Sequence, residues 1–415
     1  MSIAEVKIPV SNLQPGMYVA RLDKPWLETP YKIQGFLLRE QKDIDRLKNH
    51  CKFVYIDAEK SSKAFETNSK GSKQLLTDEE QKHLLINAKP RKFPEKSRLK
   101  DELKVAHVEH EALGNTIKSI IEKTVKNNKL DLTSIQKAVA PMVDSVIRNP
   151  DAFTWLTMMK RRDDYAYNHS ISSAIWAAAF GRNLGLPIMD IKAVAMGGLL
   201  LDIGKVKLPE KLISNPNAYN QVEFNLVKRH VDYGLDIIRS IDGITDDVVQ
   251  MVATHHERHN GSGYPNGLAD NNIPLFGKMA GIIDCYDAII SDRPHIKALS
   301  PHDAVKKLYD WSGSDFQPEL IEQFIQIVGI YPVGTLIELS DGRIGVIVAL
   351  HKVRRLRPKV MLILDKNRQL YQKYEIIDLF NIEEGEDGQP LNIIKTTNPG
   401  KYGLDPSQFY LLGKA

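Results

Sequence analysis

The sequence predicts a multidomain chain: an all-α helical bundle core, a small α+β module before it and a small β-rich appendage after it. Three observations carry this expectation. From about Leu130 to Val328, apolar residues recur at helical spacing in one segment after another. Residues 1–62 instead mix short strand-like runs with turns. After Tyr331 strand-like runs return, and the turn Ser340-Asp341-Gly342-Arg343 separates the first two. A chain of 415 residues has room for two or three domains. The expected boundaries are 1–62 for the module, 63–139 for a linker and helical connector, 140–328 for the bundle and 329–415 for the appendage.

In the N-terminal module, Val6 to Val10, Met17 to Ala20, Gly35 to Leu38 and Phe53 to Ile56 are expected strands. Pro9 lacks an amide hydrogen and confines the first of these to a sheet edge. Pro15-Gly16 carries turn chemistry, and Asp43 to Asn49 suits a short helix. From Glu59 to Lys100 the chain is rich in Lys, Glu and Ser, with Pro90 and Pro94, and reads as a linker with some helix. Leu99, Leu103, Ala106, His110, Leu113, Ile117 and Ile120 then form a heptad-like stripe. The stripe suits either a dimer helix or packing on the following domain.

Within the bundle, Asn168 opens a helix that ends at Gly185 before Pro187. Glu223 to Arg239, Ile244 to His256 and Lys278 to Ile290 each carry one apolar face. Helices of this kind bury one shared core. In the appendage, Thr335 to Leu339, Ile344 to Leu350 and Val360 to Leu364 are expected strands, followed by a tyrosine-containing tail.

Bulk composition narrows the class. The net charge of +4 is small for this length and gives no argument for nucleic acid or an anionic membrane. Cys51 and Cys285 suggest no disulfide framework and fit a reducing compartment. The N-terminus shows no cleavage signal, and the most apolar stretch, Ala193 to Leu201, is too short to span a bilayer. A cytoplasmic location is expected.

The most informative segment is His255-His256-Glu257-Arg258-His259-Asn260-Gly261-Ser262-Gly263-Tyr264-Pro265. Two adjacent imidazoles end an apolar-periodic stretch, and a Gly-rich turn then projects a tyrosine. Neutral imidazole is the commonest side-chain metal ligand. Further candidate ligands lie on other expected helices: His169, Asp202, His230, Asp284 and Asp287. Each alone has a plain structural explanation, such as a hydrogen-bonded core histidine or a cap. Together they suit one interior site, because carboxylates on apolar helix faces are costly to bury unless paired or metal-bound. A His and Asp shell without cysteine suits Fe, Mn, Zn or Ni. A carboxylate such as Asp202 can bridge two ions, which would clamp a phosphate for in-line displacement. Lys205, nearly one turn after Asp202, would stabilise charge developing on that phosphate.

The order His169, Asp202-Ile203-Gly204-Lys205, His230, His255-His256-Glu257-Arg258, Gly263-Tyr264-Pro265, Asp284 and Asp287 resembles the HD-GYP family. These are bacterial cyclic di-GMP phosphodiesterases among the HD metal-dependent phosphohydrolases. The resemblance covers about residues 140–325 and implies an HD-type bundle. Residues 1–62, including Pro25 to Pro30, resemble a poorly understood domain often found before HD-GYP domains. By resemblance, His169, Asp202 and Asp284 would serve one metal, with Asp202 bridging. His230, His255 and His256 would serve a second. Lys205 would contact phosphate or the attacking water, Tyr264 the cyclic dinucleotide, and Arg293 a phosphate or guanine. Asp287 would orient ligands from behind.

One departure matters. The family's His-Asp pair is Leu201-Asp202 here, so the first ion would lose a nitrogen ligand. Tyr165 stands where some members place a glutamate for a third metal, so two divalent ions are expected at most. His295 stands where the family often has tyrosine. Two functions follow. In one, the protein hydrolyses cyclic di-GMP with a depleted but working metal pair. In the other, it is a catalytically impaired regulator that binds cyclic di-GMP or a protein. A protein partner for the N-terminal module and a homodimer complete the expected partners.

Overall fold

The computed structural model describes residues 5–13, 17–23, 36–38, 41–57, 91–127, 130–159, 165–215, 217–292, 297–351, 356–382, 384–385, 388–397 and 400–404. The Pro15-Gly16 turn, the Pro25–Pro30 stretch, most of the expected linker, Arg293-Pro294-His295 and the end of the tail lie outside the described residues. The chain divides into two compact units, Met1–Gln81 and Lys82–Ala415.

The first unit is an antiparallel sheet in the order β1-β4-β2-β3, formed by Glu5–Pro9, Phe53–Asp57, Tyr18–Leu22 and Phe36–Leu37 respectively. Pro9 ends the edge strand β1, where its missing donor costs least. Helix α1 (Gln41–Lys48) buries Ile44 and Leu47 with Val19, Leu38, Val54 and Ile56 in a core of its own.

The second unit is helical for most of its length. Helix α2 (Leu99–Asn127) carries the heptad-like stripe. Ala106, Leu113, Ile117 and Ile120 are buried against α3 (Leu132–Arg148) and α4 (Pro150–Met159) of the same chain. His110 stacks on Phe153 with centroids 6.3 Å apart. Buried Glu102 accepts hydrogen bonds from Ser145 at 2.6 Å and Arg148 at 2.7 Å, so its charge is paired.

Two helices form the centre of the bundle, α5 (Tyr165–Leu184) and α6 (Ile188–Leu200). From Val194 to Leu200 every residue of α6 is buried, as befits a helix apolar on all sides. Gly198 lets α6 approach α5 closely, because a Cβ there would overlap the Ser173 carbonyl. A 3-10 turn, Ile203–Lys207, ends this pair and packs on α2. The short α7 (Glu210–Ile213) follows.

The helix expected from Glu223 to Arg239 is two helices, α8 (Gln221–Lys228) and α9 (His230–Arg239). Apolar periodicity runs through both, but the backbone breaks at Arg229. There the His230 ring donates from Nδ1 to the Val227 carbonyl at 2.7 Å. Gly204 of the 3-10 turn lies directly on the His230 carbonyl and the Gly234 amide, a place closed to any side chain. Helices α10 (Asp246–Thr254), α11 (Leu275–Ile289), α12 (Pro301–Asp310) and α13 (Pro318–Val328) complete the bundle.

The C-terminal sheet is antiparallel in the order β8-β7-β6-β5-β9. Strands β5 (Leu336–Leu339), β6 (Ile344–Ala349) and β7 (Lys359–Leu364) match the three expected runs. Two further strands, β8 (Leu370–Asp378) and β9 (Ile393–Thr397), were not expected; many of their side chains face solvent and break the apolar alternation. The sheet is not a separate layer. Leu336, Ile344, Val346, Met361 and Ile363 join the helical core, while Ile337, Leu339, Ile347, Val360 and Leu362 form a cluster on the other face. Among the described residues no helix is long and apolar enough to cross a membrane.

The Gly204 contact yields a prediction. Gly204→Ala forces the 3-10 turn off α9 and is expected to cost about 1–3 kcal/mol in urea unfolding, as overpacking does. It should also weaken divalent-metal binding, because Asp202 directly precedes this turn. A variant with unchanged stability and metal affinity would show that the contact is slack.

Candidate metal centre

Five elements deliver the ligand candidates to one point. His169 comes from the first turns of α5, Asp202 from the end of α6, His230 from the start of α9, His255 and His256 from the end of α10, and Asp284 from α11. Their donor atoms fall into two groups that share Asp202. One holds His169, Asp202 and Asp284; the other holds Asp202, His230, His255 and His256; within each group the donor atoms lie within 4.8 Å of one another.

In the first group, His169 Nε2 lies 3.0 Å from Asp284 Oδ1 and 3.5 Å from Asp202 Oδ2. Asp287 stands behind the ring, 2.7 Å from His169 Nδ1. Burial opposes a charge on His169, but the hydrogen bonds to Asp284 and Asp287 outweigh it and raise its pKa to about 10. Burial also opposes ionisation of Asp202 and Asp284. Lys205 above all holds Asp202 in the charged form, and the His169 hydrogen bond does the same for Asp284, so both carboxyls sit well below the usual range. Lys205 Nζ is 2.6 Å from Asp202 Oδ2.

The second group has the sharper signature. His230 donates from Nδ1 to the Val227 carbonyl, and His255 donates from Nδ1 to the Val252 carbonyl, each at 2.7 Å. Both rings therefore present a lone pair at Nε2, and these two nitrogens are 3.3 Å apart. Asp202 Oδ1 lies 3.3 Å from His230 Nε2, is buried, and accepts no hydrogen bond. Burial drives the His255 pKa down to about 4 and that of His256 well below the ordinary value, each reinforced by a neighbouring imidazole. Burial likewise lowers that of His230. Acceptors that face one another in a buried space repel, and among the described residues no donor stands between Asp202 Oδ1, His230 Nε2 and His255 Nε2. A divalent cation is the group that satisfies all of them, and carboxylate with neutral imidazole is a donor set that holds such ions.

The Gly-rich loop closes one side. Tyr264 stacks on His256, with centroids 4.5 Å apart and planes at 29°. Its amide donates to the His256 carbonyl at 3.1 Å. Glu257, quoted in the motif but given no role there, is the loop's fastening. It is buried, and its carboxylate accepts from the Asn266 amide at 2.8 Å and the Leu268 amide at 2.9 Å. A carboxylate directly before a Gly-rich turn was the available signal. The Val227 and Val252 carbonyls behind the rings carry no side-chain signal at all. Leu201 is buried in the apolar core and supplies no donor. Arg293 lies outside the described residues.

The opposed histidine shifts predict a pH dependence for the metal-free protein. His169, raised to about 10, contributes stability below the unfolded value near 6.5 that is lost as pH rises through 10. His255, depressed to about 4, leaves the unfolded state binding more protons below 6.5, so stability falls as pH drops toward 4. The expected outcome for chelated protein is a melting temperature that peaks near pH 6.5 and a His169→Gln variant with a flattened alkaline limb. Thermal melts across pH check it; an unchanged alkaline limb would refute the His169 assignment.

Comparison with known proteins places this geometry. Residues 153–320 match a model of the HD domain. Residues 5–135 match a domain of unknown function, DUF3391, and 336–384 a KOW domain associated with the HD domain. The chain is 32% identical over 390 residues to cyclic di-GMP phosphodiesterase PA4108 of Pseudomonas aeruginosa, covering 94% of this chain and 91% of that protein. It is 29% identical over 167 residues to a cyclic di-GMP phosphodiesterase of Thermotoga maritima, 40% of this chain and 45% of that one. The cyclic di-GMP phosphodiesterase response regulator RpfG of Xanthomonas campestris pv. campestris is 30% identical over 151 residues, 36% of this chain and 40% of that one. With near full-length similarity and an HD domain around the shared Asp202, the chain belongs to the HD-GYP family of HD-domain proteins.

Proposed function

We propose that the protein is a metal-dependent cyclic di-GMP phosphodiesterase, hydrolysing a phosphodiester bond with water at the centre built on Asp202. The observation that carries this reading is the convergence of ligand candidates from five elements on Asp202, with Asp202, His230 and His255 turning unsatisfied acceptors toward one another. Similarity along 94% of the chain to a named cyclic di-GMP phosphodiesterase supports the substrate.

Two divalent ions suit the two donor groups, with Asp202 serving both. Bound there, they would lower the pKa of a water and neutralise phosphate oxygens. The chain's own residues supply the rest. Asp287 fixes the His169 ring, and the Val227 and Val252 carbonyls fix His230 and His255, so that each turns its ligating nitrogen inward. Lys205 is the cation beside the centre and is assigned to a phosphate oxygen or the attacking water. Tyr264 braces His256 and borders the substrate, and the family resemblance assigns Arg293 to a phosphate or guanine. Leu201 leaves the first ion with three side-chain donors, which suits a weaker site with room for solvent.

The test is metal analysis of the purified protein and turnover of cyclic di-GMP with added Mn or Fe. Wild type is expected to turn over, and His255→Ala to lose activity by at least about 100-fold. Leu201→His is expected to raise affinity for the first ion. Dinucleotide binding without turnover under any metal would leave a binding role in place of the enzyme.

A further inference from the structure

Beside the metal centre, Tyr264 carries a cation with no carboxylate partner among the described residues. Lys228, the last residue of α8, places Nζ 4.7 Å from the Phe224 ring centroid and 5.1 Å from that of Tyr264. Phe224 and Lys228 are four apart on one helix, so they share a face. Phe224 meets Tyr264 edge-on at 6.2 Å, and Tyr264 in turn stacks on His256. Lys228 is thus joined to the candidate ligand His256 through a single aromatic ring. Lys205, in contrast, pairs with Asp202 at 2.6 Å and is already assigned to the phosphate or water at the metal centre.

Three further facts make this a built feature. Helix α8 is pinned at its start by a capping box between Asn220 and Glu223. Phe224 is 39% exposed, a large aromatic surface left open beside the site. Two aromatic faces orient the ammonium without neutralising it, and its hydrogens remain free to donate to an anion.

A cyclic dinucleotide carries two phosphates and two purines on one ring. When one phosphate lies at the metal centre, the second must lie close beside it and needs its own cation. We propose that Lys228 binds this second phosphate and that Phe224 offers a stacking face to the adjacent base, so that the pair selects a cyclic dinucleotide over a simple diester. The proposal rests on the phosphodiesterase reading above. Lys228 and Phe224 bind and select; they take no part in the bond-breaking step.

Two measurements test it. Calorimetry on chelated protein gives the Kd for cyclic di-GMP without turnover. Kinetics on metal-loaded protein compare cyclic di-GMP with bis(p-nitrophenyl) phosphate, a diester with one phosphate. Lys228→Ala is expected to weaken Kd and raise KM for cyclic di-GMP by about tenfold, the scale of one charge-assisted contact. Lys228→Arg should recover most of this. For Phe224→Ala, kcat/KM on cyclic di-GMP should fall at least about fivefold more than on the simple diester, as loss of one stacked base predicts. An unchanged Kd for Lys228→Ala, or equal losses on both substrates, overturns the subsite while leaving the phosphodiesterase intact. A wild type that cleaves the simple diester but neither binds nor cleaves cyclic di-GMP overturns both.

Discussion

The structure is organised around one unfavourable arrangement, a set of buried acceptors aimed at one another. Asp202 is shared by two ligand groups, and one of its oxygens accepts no hydrogen bond in the interior. Two imidazole nitrogens face each other across 3.3 Å because carbonyls behind them have fixed their tautomers. Each such group left unsatisfied costs free energy. The wholly buried second half of α6, the close approach at Gly198 and the seat of Gly204 on α9 hold these acceptors together against their repulsion.

Much of this was legible in the sequence, for identifiable reasons. Helical periodicity outlined the bundle because its helices bury wide apolar faces. His and Asp residues on separate helices, with no cysteine among them, indicated a site whose donor groups the structure then brings within a few ångströms of one another. The break at Arg229 was hidden, because apolar spacing continues through it and the His230 ring bond to the Val227 carbonyl that accompanies it carries no side-chain signal in the sequence. The choice between dimer helix and packed helix for the Leu99–Ile120 stripe was equally closed to sequence, since both bury the same face. Strand β8 escaped notice because an edge strand with solvent on its side chains loses the alternation that marks a strand.

The side of the site toward solvent differs in character from its floor. The floor is made of ionisable groups locked by burial. The side toward solvent is aromatic, with His256, Tyr264 and Phe224 in successive contact and Lys228 lying over the last two rings. Glu257 ties the loop back by two amides, so the tyrosine is carried on a fastened loop. In the proposed function, chemistry and selectivity fall to separate residues that meet at His256.

The sharing of apolar residues between the C-terminal sheet and the helices sets a limit on modularity. Leu336, Val346, Met361 and Ile363 sit in the same cluster as Phe324 and Trp176. A chain cut after Val328 would bare that surface to water, leaving a catalytic bundle prone to self-association. The C-terminal sheet is therefore an inseparable wall of the bundle's interior, and recombination that exchanged it for another module would have to replace that wall residue for residue.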